Sequence, residues 1–254
     1  MKPITMSIAD TPLTFLTIPA GPFLMGSTKK EIQHAVEEFP HLEAAWFEKE
    51  YPQHEVEVAA FYMAETQITN RQWQVYMEAN NITLTPEGFN ADQPKCPVWG
   101  MTFDELTQFC EWLSKESDYT VGIPTEAQWE KAARGTDQRQ YPWGNSFDKT
   151  KCNTKESGIG HPTPADNFPN GKSPYGILDM AGNVEEWTST KYQPYPGGKP
   201  IHDRFGGPGE YYVTRGGSFD HEGDLARCAR RHGGPYEHSI IDGRLVIEKL
   251  EKTN

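Results

Sequence analysis

Past Gly135 the chain all but stops showing helical periodicity. Residues 136–243 read as turns, Gly/Pro loops and short strands such as 210–214, with a further strand at 244–247. Irregular backbone on that scale carries peptide groups that no ladder satisfies, so something other than a thick apolar core must order it. The 23 Gly and 20 Pro among 254 residues exceed what a helical bundle or a doubly wound parallel sheet absorbs. Hydrophobic residues make up 36% and aromatics 12%, so the core that does form is aromatic-rich rather than aliphatic. Trp and Pro are spread along the chain, which favours one ordered, loop-heavy domain, taken as 13–250 after an N-terminal extension of 1–12.

The first half is more regular. Residues 13–25 (LTFLTIPAGPFLM) alternate loosely around Pro19, Gly21 and Pro22, which predicts two short strands joined as a hairpin. Residues 31–50 carry Ile32, Val36, Phe39, Leu42, Ala45 and Trp46 at helical spacing, interrupted by Pro40, and read as a short helix pair. The run 54–69 alternates at Val56 and Val58 and predicts strand. Thr69 then caps a helix with Trp73, Tyr76 and Met77 on one face. Thr102 with Glu105, and Thr125 with Gln128, have the spacing of capping boxes; Gly135 closes the second of those helices.

A formal net charge of −12 disfavours any sequence-independent grip on nucleic acid or anionic lipid. Residues 1–10 lack the basic start and apolar run of a signal peptide, and no stretch approaches the roughly 18 apolar residues of a membrane span. The expectation is a cytoplasmic protein. Cys96, Cys110, Cys152 and Cys228 lie far apart with no CxxC, so spacing supports neither a zinc ribbon nor a redox dithiol, and buried small side chains are the simplest reading.

Oxygen-rich turns are the candidates for the missing ordering agent, because calcium binds carboxylates and carbonyls and can fix backbone that lacks ladder bonds. One is CNTKESGIG (152–160), with Asn153, Thr154, Glu156 and Ser157; the other is YGILDMAGNVEEWT (175–188), with Asp179, Asn183, Glu185 and Glu186 around Gly182. Acidic turns that are simply solvated are the plainer alternative. For catalysis, no GxSxG, HExxH or P-loop is present, and no GxGxxG follows a strand. Asp220, His221 and Glu222 follow a GGS turn, and His232 and His238 lie in a Gly/Pro loop beyond it. An iron or copper site from these is conceivable beside the plainer reading of structural histidines.

Seven segments in order, IPAGPFLMGS (18–27), YPQHEV (51–56), ETQITNRQW (65–73), IPTEAQWEKAARG (123–135), YPWGN (141–145), YGILDMAGNVEEWT and RGGSF (215–219), resemble the formylglycine-generating enzyme or sulfatase-modifying-factor family. That family also contains the catalytic domains of ergothioneine-type sulfoxide synthases. The resemblance spans 13–247 and implies an α+β, C-type-lectin-like fold with long loops held in part by calcium. Carried over residue by residue, it implies one calcium ion at Asp179, the carbonyls of Gly182 and Val184, and Glu186. A second would use Asn153 and Thr154 with Ser157 or Glu156 and Ile159. Cys110 and Cys228 match positions that form a disulfide in secreted relatives, so in a reducing cytoplasm they are expected reduced but adjacent.

The departures bear on function. The copper-binding cysteine pair of a formylglycine generator should follow the GGS turn; His221 stands at the first position, and the stretch holding the second is shorter here. The sulfoxide synthases take iron ligands from an N-terminal helical domain with an HxxxHxE motif, for which the residues before Leu13 leave no room. Two readings follow. One is an oxygen-dependent oxidoreductase or maturation factor with a site around His221, Arg227, Arg230, Arg231, His232 and His238, the arginines holding an anionic small-molecule or peptide substrate, against the plainer reading that they tie loops to carboxylates. The other is a non-catalytic, calcium-stabilised module that binds a ligand or protein partner through its C-terminal loops. The ending DGRLVIE (242–248) also departs, lacking the aromatic that relatives usually place between the Gly and the Arg.

Overall fold

The computed structural model describes residues 2–8, 11–233 and 239–249. A five-stranded antiparallel sheet is assembled from β1 (Ile4–Ile8), β2 (Thr11–Ile18), β5 (Phe61–Ala64), β10 (Val246–Lys249) and β6 (Thr120–Gly122), in that spatial order. β3 (Gly21–Met25) pairs with β4 (His54–Val58) in a ribbon of its own. A third sheet places β7 (Glu185–Lys191) between antiparallel β8 (Tyr212–Arg215) and parallel β9 (Ile241–Asp242).

The expected hairpin over 13–25 does not form. Both strands exist, but β2 pairs with β1 and β5 while β3 turns away to β4. The two strands feed different cores: Leu13 and Phe15 face one apolar cluster, Phe23 and Met25 the other. Strand β5 lies between them, and its period-two alternation sends Tyr62 and Ala64 to the first and Phe61 and Met63 to the second.

Five helices carry the sequence signals expected of them. α1 (Lys29–Glu38), α3 (Asn70–Asn80), α4 (Phe103–Glu116) and α5 (Glu126–Arg134) all begin with a reciprocal capping box, at Thr28/Glu31, Thr69/Gln72, Thr102/Glu105 and Thr125/Gln128. α2 (Ala44–Glu48) completes the acidic helix pair with α1. α3 and α4 cover the first cluster through Trp73, stacked on Phe109 at 5.4 Å, with Tyr76 edge-on to the same ring at 5.2 Å. α5 buries Trp129, Ala132 and Ala133 in the second.

The loop-rich half is ordered largely by buried guanidinium groups. Arg134, Arg215 and Arg231 are 0–2% exposed and converge on Glu126 and Glu130, one turn apart on α5. Glu126 accepts both Nε (2.7 Å) and Nη2 (2.9 Å) of Arg231 and Nε of Arg215 at 3.1 Å. Glu130 accepts from Arg215 at 2.6 Å and from Arg134 at 2.8 Å. Their remaining N–H groups bond loop carbonyls, among them Cys228, Lys49, Gln193 and Gly26. Five donors in a fixed fork let one side chain satisfy several carbonyls that no ladder reaches. No helix among the described residues is long and apolar enough to cross a membrane.

Candidate functional site

Glu185 opens β7 with its carboxylate 2% exposed. On the neighbouring strand the Thr214 hydroxyl donates to its Oε1 at 2.6 Å. Thr214 also exchanges both backbone hydrogen bonds with His232, which sets the imidazole beside the acid, Nδ1 at 2.8 Å from the same oxygen. His221 is placed by the turn after β8: its N–H donates to the Ser218 carbonyl, and its Nδ1 lies 3.2 Å from the Ser218 hydroxyl and 3.9 Å from Glu185. The two rings meet edge to face with centroids 5.5 Å apart.

Burial opposes ionisation of Glu185, but His232, His221 and the Thr214 hydroxyl outweigh it and bring the carboxyl down to about 2. Burial holds His221 below the ordinary imidazole range; Glu185 acts against this and His232 with it. Carboxylate below and imidazole above, with Nδ1 engaged and no contact to Nε2 among the described residues, is the arrangement of an oriented general base.

A cavity of about 210 Å³ opens over this pair. Trp46, Leu42 and Phe205 form its apolar side, Phe205 standing perpendicular to His232 at 5.1 Å. Lys49, 3% exposed, is fixed beneath by Asp203 and the Tyr211 hydroxyl, between the Tyr192 and Tyr211 rings. Burial lowers its pKa, with Asp203 opposing. Most charges lining the cavity are already paired: Lys49 with Asp203, Arg230 with Asp224, and Glu222 with His41 and Lys155. Asp220 and Arg204 also line it and make no ion pair among the described residues; the Arg204 guanidinium lies 4.7 Å over Phe205.

The six residues read from sequence as a catalytic group divide. His221 and His232 meet. Arg230 and Arg231 reach the cavity wall, yet their guanidinium groups are buried and engaged, the first by Asp224 and the carbonyls of Trp46 and Arg231, the second by Glu126. Arg227 is gripped in a fork by Glu50 at 2.6 and 2.9 Å and faces a separate cavity with Tyr141 and Phe147. His238 lies outside the described residues. Glu185, Lys49, Asp203, Arg204 and Phe205 escaped the sequence reading as site residues. The only signal for Glu185 was the doubled acid in NVEEW, where it was taken as part of a calcium turn.

The thiols do not offer a soft-metal site. All four cysteines are free and buried, and burial pushes Cys110, Cys152 and Cys228 up to about 12. Cys110 and Cys228 fall in different apolar clusters, so the expected adjacency is not found. No three His, Cys, Asp or Glu side chains among the described residues are arranged to hold a metal ion, so the iron or copper raised above has no assembled shell around His221.

The loop given to a second calcium ion is closed on itself. Thr154 donates to Glu156, Gly223 N–H donates to the other Glu156 oxygen, and Ser157 donates to Asn153 Oδ1 and accepts from the Ile159 N–H. These side chains do not fit an ion as packed. At the first turn, Asp179 accepts from Asn183, and Glu186 takes Nε and Nη2 of Arg244, the Trp129 indole N–H and the Gln67 amide. Gln67 also donates to the Val184 carbonyl, while Gly182 sits in a positive-φ turn bridged to Asn153. Here, though, Asp179, Glu186 and Asp242 are all buried beside Arg244, and Gln67 Oε1 and Asp242 Oδ2 have no partner among the described residues. Oxygens of these kinds are what a hard cation takes, although the Gln67 amide nitrogen stands among them here.

Loop-dominated second half, three small sheets and a C-terminal cavity define a C-type-lectin-like scaffold of the formylglycine-generating type. The chain belongs to this family: residues 6–245 match the Sulfatase-modifying factor enzyme 1-like domain. It is 25% identical over 273 residues to the hercynine oxygenase of Mycolicibacterium smegmatis, covering 91% of this chain and 60% of that protein. In fold it is similar to PvdO from Pseudomonas aeruginosa, with a TM-score of 0.77, 21% identity and coverage of 98% and 100%. Treponema denticola variable protein 1 matches equally well, with a TM-score of 0.77, 20% identity and the same coverages.

Proposed function

We propose that the chain is an oxidoreductase of this family that acts on a small zwitterion, an amino acid or amino-acid betaine, in the His221–His232 cavity. The observation that carries the reading is the buried Glu185 carboxylate 2.8 Å from His232 Nδ1 beneath a cavity of substrate size. Glu185 fixes the ring through Nδ1, and Nε2 is the atom that would take a proton from the substrate as it is oxidised. Dioxygen, the oxidant implied by the family, would take two electrons and two protons from the substrate, leaving as hydrogen peroxide with the substrate oxidised by two electrons. Asp220 and Arg204, of opposite sign, are placed to hold the ammonium and carboxylate ends, and Trp46 and Phe205 exclude water from the carbon skeleton. The kinship with a hercynine oxygenase supports both the reaction class and the choice of a zwitterion.

The test is a thermal-shift titration of the full chain with glycine betaine, hercynine and free amino acids, with oxygen uptake followed in parallel. At least one zwitterion should stabilise the protein, with affinity falling about tenfold, or about 1.4 kcal/mol, in Asp220→Asn and Arg204→Gln. Oxygen uptake should disappear in His232→Gln. Stabilisation without oxygen uptake would identify a binding module instead, and no response to any zwitterion would remove the reading.

A further inference from the structure

Away from the cavity, the corner where β7 meets β9 buries three carboxyl groups, Asp179, Glu186 and Asp242, beside the single guanidinium of Arg244. Glu186 and Asp242 are paired in the parallel ladder and both 0% exposed; Asp179 is 5% exposed. Arg244 donates to both Glu186 oxygens at 2.9 and 2.7 Å and to the carbonyls of Ala64 and Leu178. Gln67, 1% exposed, places Nε2 between the Val184 carbonyl at 2.6 Å and Glu186 Oε1 at 3.0 Å. Gln67 Oε1 and Asp242 Oδ2 are buried acceptors without a donor. Native interiors rarely leave such atoms unmatched, and each of these two oxygens can accept from a donor or ligate a cation.

The family resemblance gives calcium to Asp179, Gly182, Val184 and Glu186. We infer that in this chain Gln67 and Asp242, which lie outside that set, complete the calcium shell, and that the Gln67 amide reports whether the ion is present. In the arrangement seen here the amide N–H groups bridge Val184 and Glu186 in the place of a cation. A half-turn about the Gln67 Cγ–Cδ bond exchanges nitrogen for oxygen at that point and turns the corner into an all-oxygen set, with Asp242 Oδ2 as a further donor. Calcium takes six to eight oxygens from carboxylates, amides and carbonyls, so a mixed shell of this kind suits it; the absence of nitrogen and sulfur donors disfavours softer metals. No three acids among the described residues are arranged to hold a metal ion on their own, so the shell inferred here depends on the amide and carbonyl oxygens.

Terbium luminescence tests this directly, because the Trp129 indole nitrogen lies 2.6 Å from Glu186 and can sensitise an ion bound there. The full chain is stripped with EDTA, titrated with Tb³⁺ under indole excitation, and the emission is competed with Ca²⁺. Wild type should show sensitised emission that calcium displaces. Gln67→Met and Asp242→Asn should each raise the calcium concentration needed by at least about tenfold, and Gln67→Glu, which keeps an oxygen and adds charge, should lower it. If Asp242→Asn does not fold, the opposite responses of the two Gln67 variants decide. Equal calcium competition in wild type and both Gln67 variants would overturn the inference while leaving a calcium ion on the family's own ligands. No sensitised emission in wild type would overturn both.

Discussion

Glu185 carries its charge into a place that water barely reaches, and it stays ionised because His232, His221 and Thr214 surround it. Its carboxyl is brought from 4.5 to about 2 in the folded chain, so it adds stability that is fully present above the unfolded value and is lost as pH falls through the folded one. Glu185→Gln should therefore cost about 1–3 kcal/mol near neutral pH and progressively less toward pH 2, as read from urea unfolding at stepped pH. A deficit that stays constant with pH would show that the carboxylate is not engaged as described. The sequence grouped the two histidines in one site but did not show the acid beneath them. The GGS turn that places His221 is local, whereas Glu185, beside which Thr214 sets His232, is 47 residues from it. The two readings of the arginines could not be separated in sequence for the same reason: Arg231 and Glu126 are 105 residues apart, and nothing local distinguishes a guanidinium awaiting substrate from one already forked onto an acid, which is what the structure has.

At the level of elements, what is coded within four residues was legible and what is coded across the chain was not. The cap at Thr69 and the capping boxes at Thr102 and Thr125 form as the sequence predicts, because donor and acceptor share one turn. The partners of β2 and β3 could not be read, since alternation marks a strand and its buried face but not the core that face meets. α5 is the element on which the loop half is hung. Its cap and its acids should be separable: Thr125→Ala should cost about 1 kcal/mol, as caps do. Glu126→Gln strips a charge partner from both Arg215 and Arg231 and should cost about 3–5 kcal/mol. Urea denaturation compares the two, and equal losses would deny α5 this role.

Across the whole molecule, buried ion pairs stand where a larger protein would place aliphatic bulk, which fits a chain with 36% hydrophobic residues. The family motifs made the fold legible despite the scarcity of periodic structure, because they mark the turns and buried polar contacts that loops need. Burial opposes ionisation of Glu50 and Glu126, but their arginine partners hold both below the ordinary carboxylate range. Each adds stability above its unfolded value that is lost as pH falls through its folded value; His221, also lowered, loses its contribution as pH drops below the ordinary imidazole value of 6.5. Between about pH 7 and 4 this loss is opposed by Asp179 and Asp242, whose raised values add stability as they take up protons, so the melting temperature should fall steeply only below about pH 4, and a flat profile to pH 3 would contradict an ion-paired interior.

The most direct measurement is a crystal structure of the full chain soaked with glycine betaine or an amino acid that stabilises it in solution. The account predicts density in the cavity over Glu185 and His232, with the carboxylate toward Arg204, the ammonium toward Asp220 and the carbon skeleton against Phe205. Ligand found instead in the cavity at Tyr141 and Arg227, or a His232 whose contact with Glu185 is broken when the ligand binds, would contradict it.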